Sequence, residues 1–217
     1  MSNDFDVEPV RGLPALLPPG ETMLWQGAPG WKALLRNAFH GRVLGLYFLL
    51  LVVWCAASGW RDGNGVPAAA NASVWAVGLG ALFFGLLTLF AWLIERTTVY
   101  TITNRRVVMR FGIALPMTIN LPYALVDTAG LRLFAGGFGD MALAMRDGSR
   151  ISYAVMWPHI RPWRLRKAQP MLRSVPDAER VALILSRALS AAAEQPAPAR
   201  TGVSEPAAGQ RPQAAVA

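Results

Sequence analysis

VWAVGLGALFFGLLTLFAWLIERTTVYTITNRRVVMRFG, residues Val74 to Gly112, holds the change of period that decides the fold. Its first part, Val74 to Ile94, runs charge-free for about 21 residues, enough for a helix to cross a bilayer with some tilt. Past Glu95 and Arg96 the pattern becomes a two-residue alternation. Tyr100 and Ile102 share one face while Thr101 and Thr103 take the other; Val107, Met109 and Phe111 then alternate with Arg106, Val108 and Arg110. One segment cannot keep an apolar face at both periods, so an apolar helix gives way here to half-buried strands.

Working outward toward the N-terminus, Val43 to Trp60 is a second charge-free run of about 18 residues. The two runs predict a transmembrane helical hairpin over residues 43–94, with spans at about 43–60 and 74–94 joined by the Gly- and Ala-rich stretch Arg61 to Ser73. Trp54, Trp60, Trp75 and Trp92 lie toward the ends of the runs, as an interfacial aromatic belt would. Lys32, Arg36 and Arg42 precede the hairpin, and Arg96, Arg105, Arg106 and Arg110 follow it. By the positive-inside rule both termini are then cytoplasmic, as in a multi-pass protein of a bacterial inner membrane. Residues 1–42 read as a cytoplasmic N-terminal segment whose acidic start, MSNDFDVEP, lacks the basic and apolar parts of a signal peptide. The pattern leaves open whether Glu21 to Gly27 joins a sheet formed beyond the spans.

Toward the C-terminus, residues 95–194 read as a cytoplasmic domain of short strands. Met117, Ile119 and Leu121, then Leu131 and Leu133 around Arg132, then Met141, Leu143 and Met145 continue the alternation. Asn104-Arg105 marks a turn, with Asn suited to a left-handed position, and Asp147-Gly148 is a stronger hairpin signal joining Met145 to Ile151 and Tyr153. Ala135 to Gly139 is Gly-rich but lies between strands, which suits a turn and not a nucleotide loop. One helix closes the domain: Ser174 with Asp177 fits a capping box, Pro176 suits a first turn, and Val181, Ile184, Leu185, Ala188 and Leu189 form an apolar stripe. Residues 195–217 read as a disordered Ala/Pro-rich tail. The fold class is a membrane-anchored α+β chain: a two-helix hairpin plus an antiparallel β-sandwich or small barrel capped by one C-terminal helix.

WPHIRPWRLRKAQPM, Trp157 to Met171, interrupts this order. Pro158, Pro162 and Pro170 exclude a core helix, and aromatic rings beside Arg and Lys suit a membrane interface or a partner's surface. The candidate interface residues are therefore Trp157, His159, Arg161, Trp163, Arg164, Arg166 and Lys167, with Arg105, Arg106 and Arg110 from the first strands. Glu95 to Glu194 carries fourteen basic and seven acidic residues, which places +7 of the chain's net +8 in this domain. Anionic lipid headgroups and protein surfaces are the partners expected, a solvated basic face being the plain alternative.

Catalytic chemistry has little to stand on. Hydrophobic residues make up 53% and charged ones 16%, a balance tilted toward membrane proteins. The lone Cys55 lies in an apolar run, and His40 and His159 are the two histidines, neither with an acid at a spacing that would orient it. No catalytic set, metal site or cofactor motif is expected; His40 as a ligand to a metal or chlorin at the interface, or a pigment-handling role shared with His159, is the weaker alternative.

Two resemblances add to this reading. LPPGETMLWQGAP (Leu17 to Pro29), the hairpin, and TVYTITNRRVVMRFG (Thr98 to Gly112) resemble the bacterial pleckstrin-homology-like (PH-like) membrane proteins. That implies a bent sandwich of about seven strands capped by a C-terminal helix. More narrowly, FDVEPVRGLPALLPPGETMLWQGAP, YTITNRRVVMRFGIALPMTINLP and WPHIRPWRLRKAQPMLRSVPDAERVA resemble the PuhB family, photosynthetic complex assembly proteins of purple bacteria. The resemblance implies a non-enzymatic factor, without cofactor, that helps assemble the photosynthetic reaction centre with its core light-harvesting antenna in the intracytoplasmic membrane. Its partners would be reaction-centre and antenna subunits or other assembly factors and anionic lipid headgroups, with no nucleic acid and a homo-oligomer left open. The alternative function is a lipid-binding PH-like module that organises the membrane, its photosynthetic role indirect.

Overall fold

The computed structural model describes residues 12–13, 15–61, 65–146, 156–162 and 168–194. The alternation past Thr98 folds as its period requires. Among the described residues seven strands make two antiparallel sheets. The first has the order β1 (Met23–Gly27), β2 (Val99–Thr103), β3 (Arg106–Phe111), β4 (Met117–Pro122). The second runs β5 (Val126–Leu133), β6 (Gly139–Met145), β7 (Met171–Val175). Tyr100, Ile102, Val107, Met109 and Phe111 of the first sheet meet Met141, Leu143 and Leu172 of the second in one core. The C-terminal helix, Ala178–Glu194, buries Val181, Leu185 and Ala188 against it. The expected sandwich with a helical cap is what forms.

β1 answers the question the pattern left open. It precedes the apolar helices, yet it pairs with β2 beyond them, from Met23 opposite Thr103 to Gly27 opposite Tyr100. Trp25 reaches the core, and Gln26 Nε2 donates to Thr101 Oγ1 at 2.9 Å. Glu21, almost fully buried, accepts Arg106 Nε at 2.8 Å, Arg106 Nη2 at 3.0 Å and Thr103 Oγ1 at 2.8 Å. The sheet is thus closed by residues on both sides of the hairpin.

Between β1 and β2 the chain makes a short helical turn, α1 (Trp31–Ala33) continuing as a π-helix (Leu34–Ala38), then α2 (Gly41–Arg61) and α3 (Gly65–Thr97). The C-terminal helix is α4. Both α2 and α3 are long and apolar enough to cross a membrane. They exceed the expected spans, and residues 65–73, expected as loop, are the start of α3. Ala68, Ala69 and Ala70 favour helix, and Pro67 sits in the first turn, where its missing N–H costs nothing. The helices approach closely where Gly59 faces Ala69; a Cβ on Gly59 would lie 2.6 Å from the Ala69 Cα.

Several local expectations give way to stronger constraints. Asn104 is not left-handed; the β2–β3 turn is built by Thr103 Oγ1, which accepts the amides of Arg105 at 3.2 Å and Arg106 at 3.0 Å. Asn104 instead accepts from the Thr22 amide and donates to the Gly20 carbonyl, both at 3.0 Å, binding the turn to the N-terminal segment. Ser174 does not cap α4. β7 stays paired with β6 as far as Val175, so Ser174 is held in the sheet, its amide donating to Asp140 Oδ1 at 2.8 Å. The Gly136-Gly137 turn, with φ of 87° and 77°, offers the Gly137 carbonyl to the Ala178 amide at 3.0 Å, meeting one of the orphan donors of the helix start. Leu131 and Leu133 are 42% and 46% exposed, because the groove they line between β5 and α4 stays open. The Asp147-Gly148 turn and the 195–217 tail lie outside the described residues.

Candidate functional site: a cationic cleft at the foot of the hairpin

The described parts of the Trp157 to Met171 stretch form two arms. Arg161 N donates to the Gln169 carbonyl and Met171 N to the His159 carbonyl, each at 2.9 Å, and Ile160 bridges Pro170. The second arm leads into β7. Trp163, Arg164, Arg166 and Lys167 fall between the arms and outside the described residues.

By composition the stretch suits a membrane interface or a partner's surface, but Met156, Pro158, His159 and Ile160 are buried. His159 is 1% exposed and so is no surface contact, which corrects its place among the interface residues. Its Nδ1 lies 2.7 Å from Tyr100 Oη and its Nε2 3.3 Å from Thr98 Oγ1. Tyr100 Oη already accepts the Arg173 amide at 3.2 Å. The acceptor left for the phenol hydrogen is His159 Nδ1, which puts the imidazole hydrogen on Nε2, donating to Thr98. Burial, helped by the Arg173 charge, lowers the His159 pKa to about 3, so the ring is neutral. Burial likewise raises the Tyr100 phenol above its ordinary range. His159 is a neutral peg that fixes the arm to β2.

Trp157, next to the peg, is 52% exposed and turns the other way. Its ring stacks on Phe90 of α3, centroids 5.8 Å apart and planes at 21°, and lies 6.4 Å from Phe39 before α2. Phe39 and Phe90 are 5.8 Å apart, which completes an aromatic triad. The arm therefore docks the β-domain on the foot of its own helical hairpin.

Beside the triad opens a cleft of about 700 Å³. Arg36 enters it from the π-helix, Arg132 from β5, Arg161 from the arm and Arg173 from β7, with His40 at its edge. Asp140 is the acid on its wall; burial raises its pKa, against the amide of Ser174 and the charges of Arg173 and Arg132, which lower it. Arg173 is 8% exposed, and its Nε has no hydrogen-bond partner.

The structure divides the candidate residues. Trp157 and Arg161 border the cleft, whereas Arg105 and Arg106 lie at the far end of β2, about 17 Å from α3 at about 3.3 Å per residue. Arg106 is there engaged by Glu21, while Arg105 is exposed at the turn. Arg110 is half-buried near the hairpin end of β3, opposite Val99. Sequence reasoning missed Arg132 and Arg173 as cleft residues and used Arg36 for orientation alone. With Arg161 they come from four elements spread between residues 36 and 173, and nothing in local spacing could have joined them.

Residues 42–189 match the family described as Bacterial PH domain. The chain belongs to that family. The bacterial PH domain match begins at the first residues of α2 and ends within α4, so it takes in both apolar helices while β1 lies ahead of it. A protein of Rhodobacter capsulatus, described as an uncharacterized 23.7 kDa protein in the puhA 5' region, is 40% identical over 195 residues, 89% of this chain and 91% of the relative. No solved structure matches the chain.

Proposed function

We propose that this bacterial PH protein is a membrane-anchored, non-enzymatic assembly factor of the PuhB type, serving the photosynthetic reaction centre and its core antenna. The observation that carries the reading is the relative described by its position in the puhA 5' region, which speaks for a photosynthesis-operon context and is similar along nearly the whole chain. The anchor rests on α2 and α3, whose outward Leu46, Leu49, Leu50, Leu79, Leu82 and Leu86 would be costly in water and favourable in lipid. The pairing of β1 with β2 supports a topology with both flanks of the hairpin on one side of the membrane. The basic residues around those flanks favour the cytoplasmic side for them. The domain would then meet a client at the cytoplasmic face of an intracytoplasmic or inner membrane, held there by the Trp157 dock.

Deletion of the gene tests the reading. Absorbance of assembled reaction centre and core antenna should fall while pigment synthesis continues, and the full chain should restore both. Wild-type levels of both complexes in the deletion strain under photosynthetic growth would refute it.

A further inference from the structure

We infer that the cleft lined by Arg36, Arg132, Arg161 and Arg173 is a binding site for a phosphate-bearing anion, of the kind an acidic phospholipid headgroup presents. Among the described residues, four arginines from four elements line one concavity, and Asp140 is the one carboxylate among its lining residues. No ion pair within 4.0 Å joins that carboxyl to any of them. Asp140 Oδ1 is already engaged by the Ser174 amide, and Arg161 reaches the neutral Gln169 side chain at 3.1 Å.

Arg173 is the deciding residue. It is more than nine-tenths buried, its Nε is unpartnered, and its Nη2 makes a long contact of 3.4 Å with the Ile160 carbonyl. A guanidinium withdrawn from water with one donor unpartnered and the Asp140 carboxyl acting on it only from beyond ion-pair distance is costly, so its place at the cleft calls for an anion from outside the chain. Phosphate matches the forked donor geometry of arginine, and the volume suits a headgroup and not merely a single ion.

The position fits the same ligand. Trp157, on the cleft wall, stacks on Phe90 within the apolar run of α3, and Arg96 lies 4.8 Å from the Trp92 ring one helical turn further on. Indole rings at the end of an apolar helix mark the level of lipid headgroups. A free phosphate would meet the same donors, so the source must be separated by experiment. The inference is independent of the assembly role: retained lipid with failed assembly, or the reverse, tells the two apart.

The test uses the full chain purified in a non-ionic detergent, with bound lipid counted by native mass spectrometry after addition of phosphatidylglycerol or phosphatidylcholine. Wild type should retain phosphatidylglycerol over phosphatidylcholine. The combined variant Arg36→Gln, Arg132→Gln, Arg161→Gln, whose side chains lie at the rim and leave the core intact, should weaken retention about tenfold or more. Arg173→Gln should do likewise if it folds. A double variant of exposed helix residues, Arg180→Gln with Arg187→Gln, should retain lipid as wild type does. Displacement by millimolar inorganic phosphate would assign recognition to the phosphate group itself, and resistance to it would assign the lipid. Equal retention by wild type and the rim variant, or equal retention of the two lipids, would overturn the site.

Discussion

Acidification should loosen the β-domain through His159. The imidazole is 1% exposed, and its folded pKa is lowered to about 3 by burial and by the Arg173 charge. In the unfolded chain it returns to an ordinary value of about 6.5. The folded value is the lower one, so as pH falls the unfolded state takes up its proton first. The contribution of His159 is therefore whole above pH 6.5 and is lost between about 6.5 and 3. Each pH unit in that window removes about 1.4 kcal/mol, so the fall to pH 5 costs about 2 kcal/mol. Asp140 works in the opposite sense: its folded pKa is raised, so the folded state gains a proton first and stability rises as pH falls. A variant must therefore isolate the histidine. Denaturant unfolding of the full chain in micelles, followed by tryptophan fluorescence at pH 7, 6 and 5, would compare wild type with His159→Gln. The variant starts less stable, having lost the fit to Tyr100 and Thr98, but lacks the titration. Its deficit should shrink by about 2 kcal/mol between pH 7 and 5. A deficit that stays constant over that range would refute the neutral-peg assignment.

Two further outcomes follow from the geometry. Trp157→Ala and Phe90→Ala each remove the same stacked contact, so a double-mutant cycle should show a coupling of about 1 kcal/mol, with hydrogen exchange rising in residues 31–38 and not in β2 or β3. Additive effects and unchanged exchange would mean that the ring does not dock the domain. Glu21→Gln keeps the shape but loses the charge that holds Arg106 Nε and Nη2; exposure of Arg106 limits the loss to about 2 kcal/mol, read as a lower unfolding midpoint. A midpoint equal to wild type would show that the pair adds nothing to closing the sheet.

What could be read in the sequence was whatever is written in periodicity. The switch near Thr98 gave the hairpin and the first strands, and the stripe from Val181 to Leu189 gave the closing helix. β1 could not be read: Met23 to Gly27 is five residues, and its partner is set by the return of the hairpin, not by its own pattern. Ser174 shows the reverse failure, a local capping signal overruled by pairing between β6 and β7. Leu131 and Leu133 alternate like core residues but line a groove that stays open between β5 and α4. The described residues of the proline-rich basic stretch, 157–162 and 168–171, form no helix, as expected. Its division into a buried peg and an outward ring required the positions of Tyr100 and Phe90, which come from elsewhere in the chain.

With α2 and α3 inserted as proposed, the pairing of β1 with β2 would also make the sheet a counter of membrane crossings. The two strands could then meet only after an even number of crossings; one failed or extra span would leave β1 on the wrong side of the bilayer. Closing the intervening loop of about 70 residues as free coil would cost roughly 4 kcal/mol of chain entropy. A hairpin already packed through Gly59 and Ala69 brings the strands together beforehand and removes most of that cost. On the proposed topology, completion of the β-domain would thus be a report, made by the chain on itself, that its anchor has been inserted correctly.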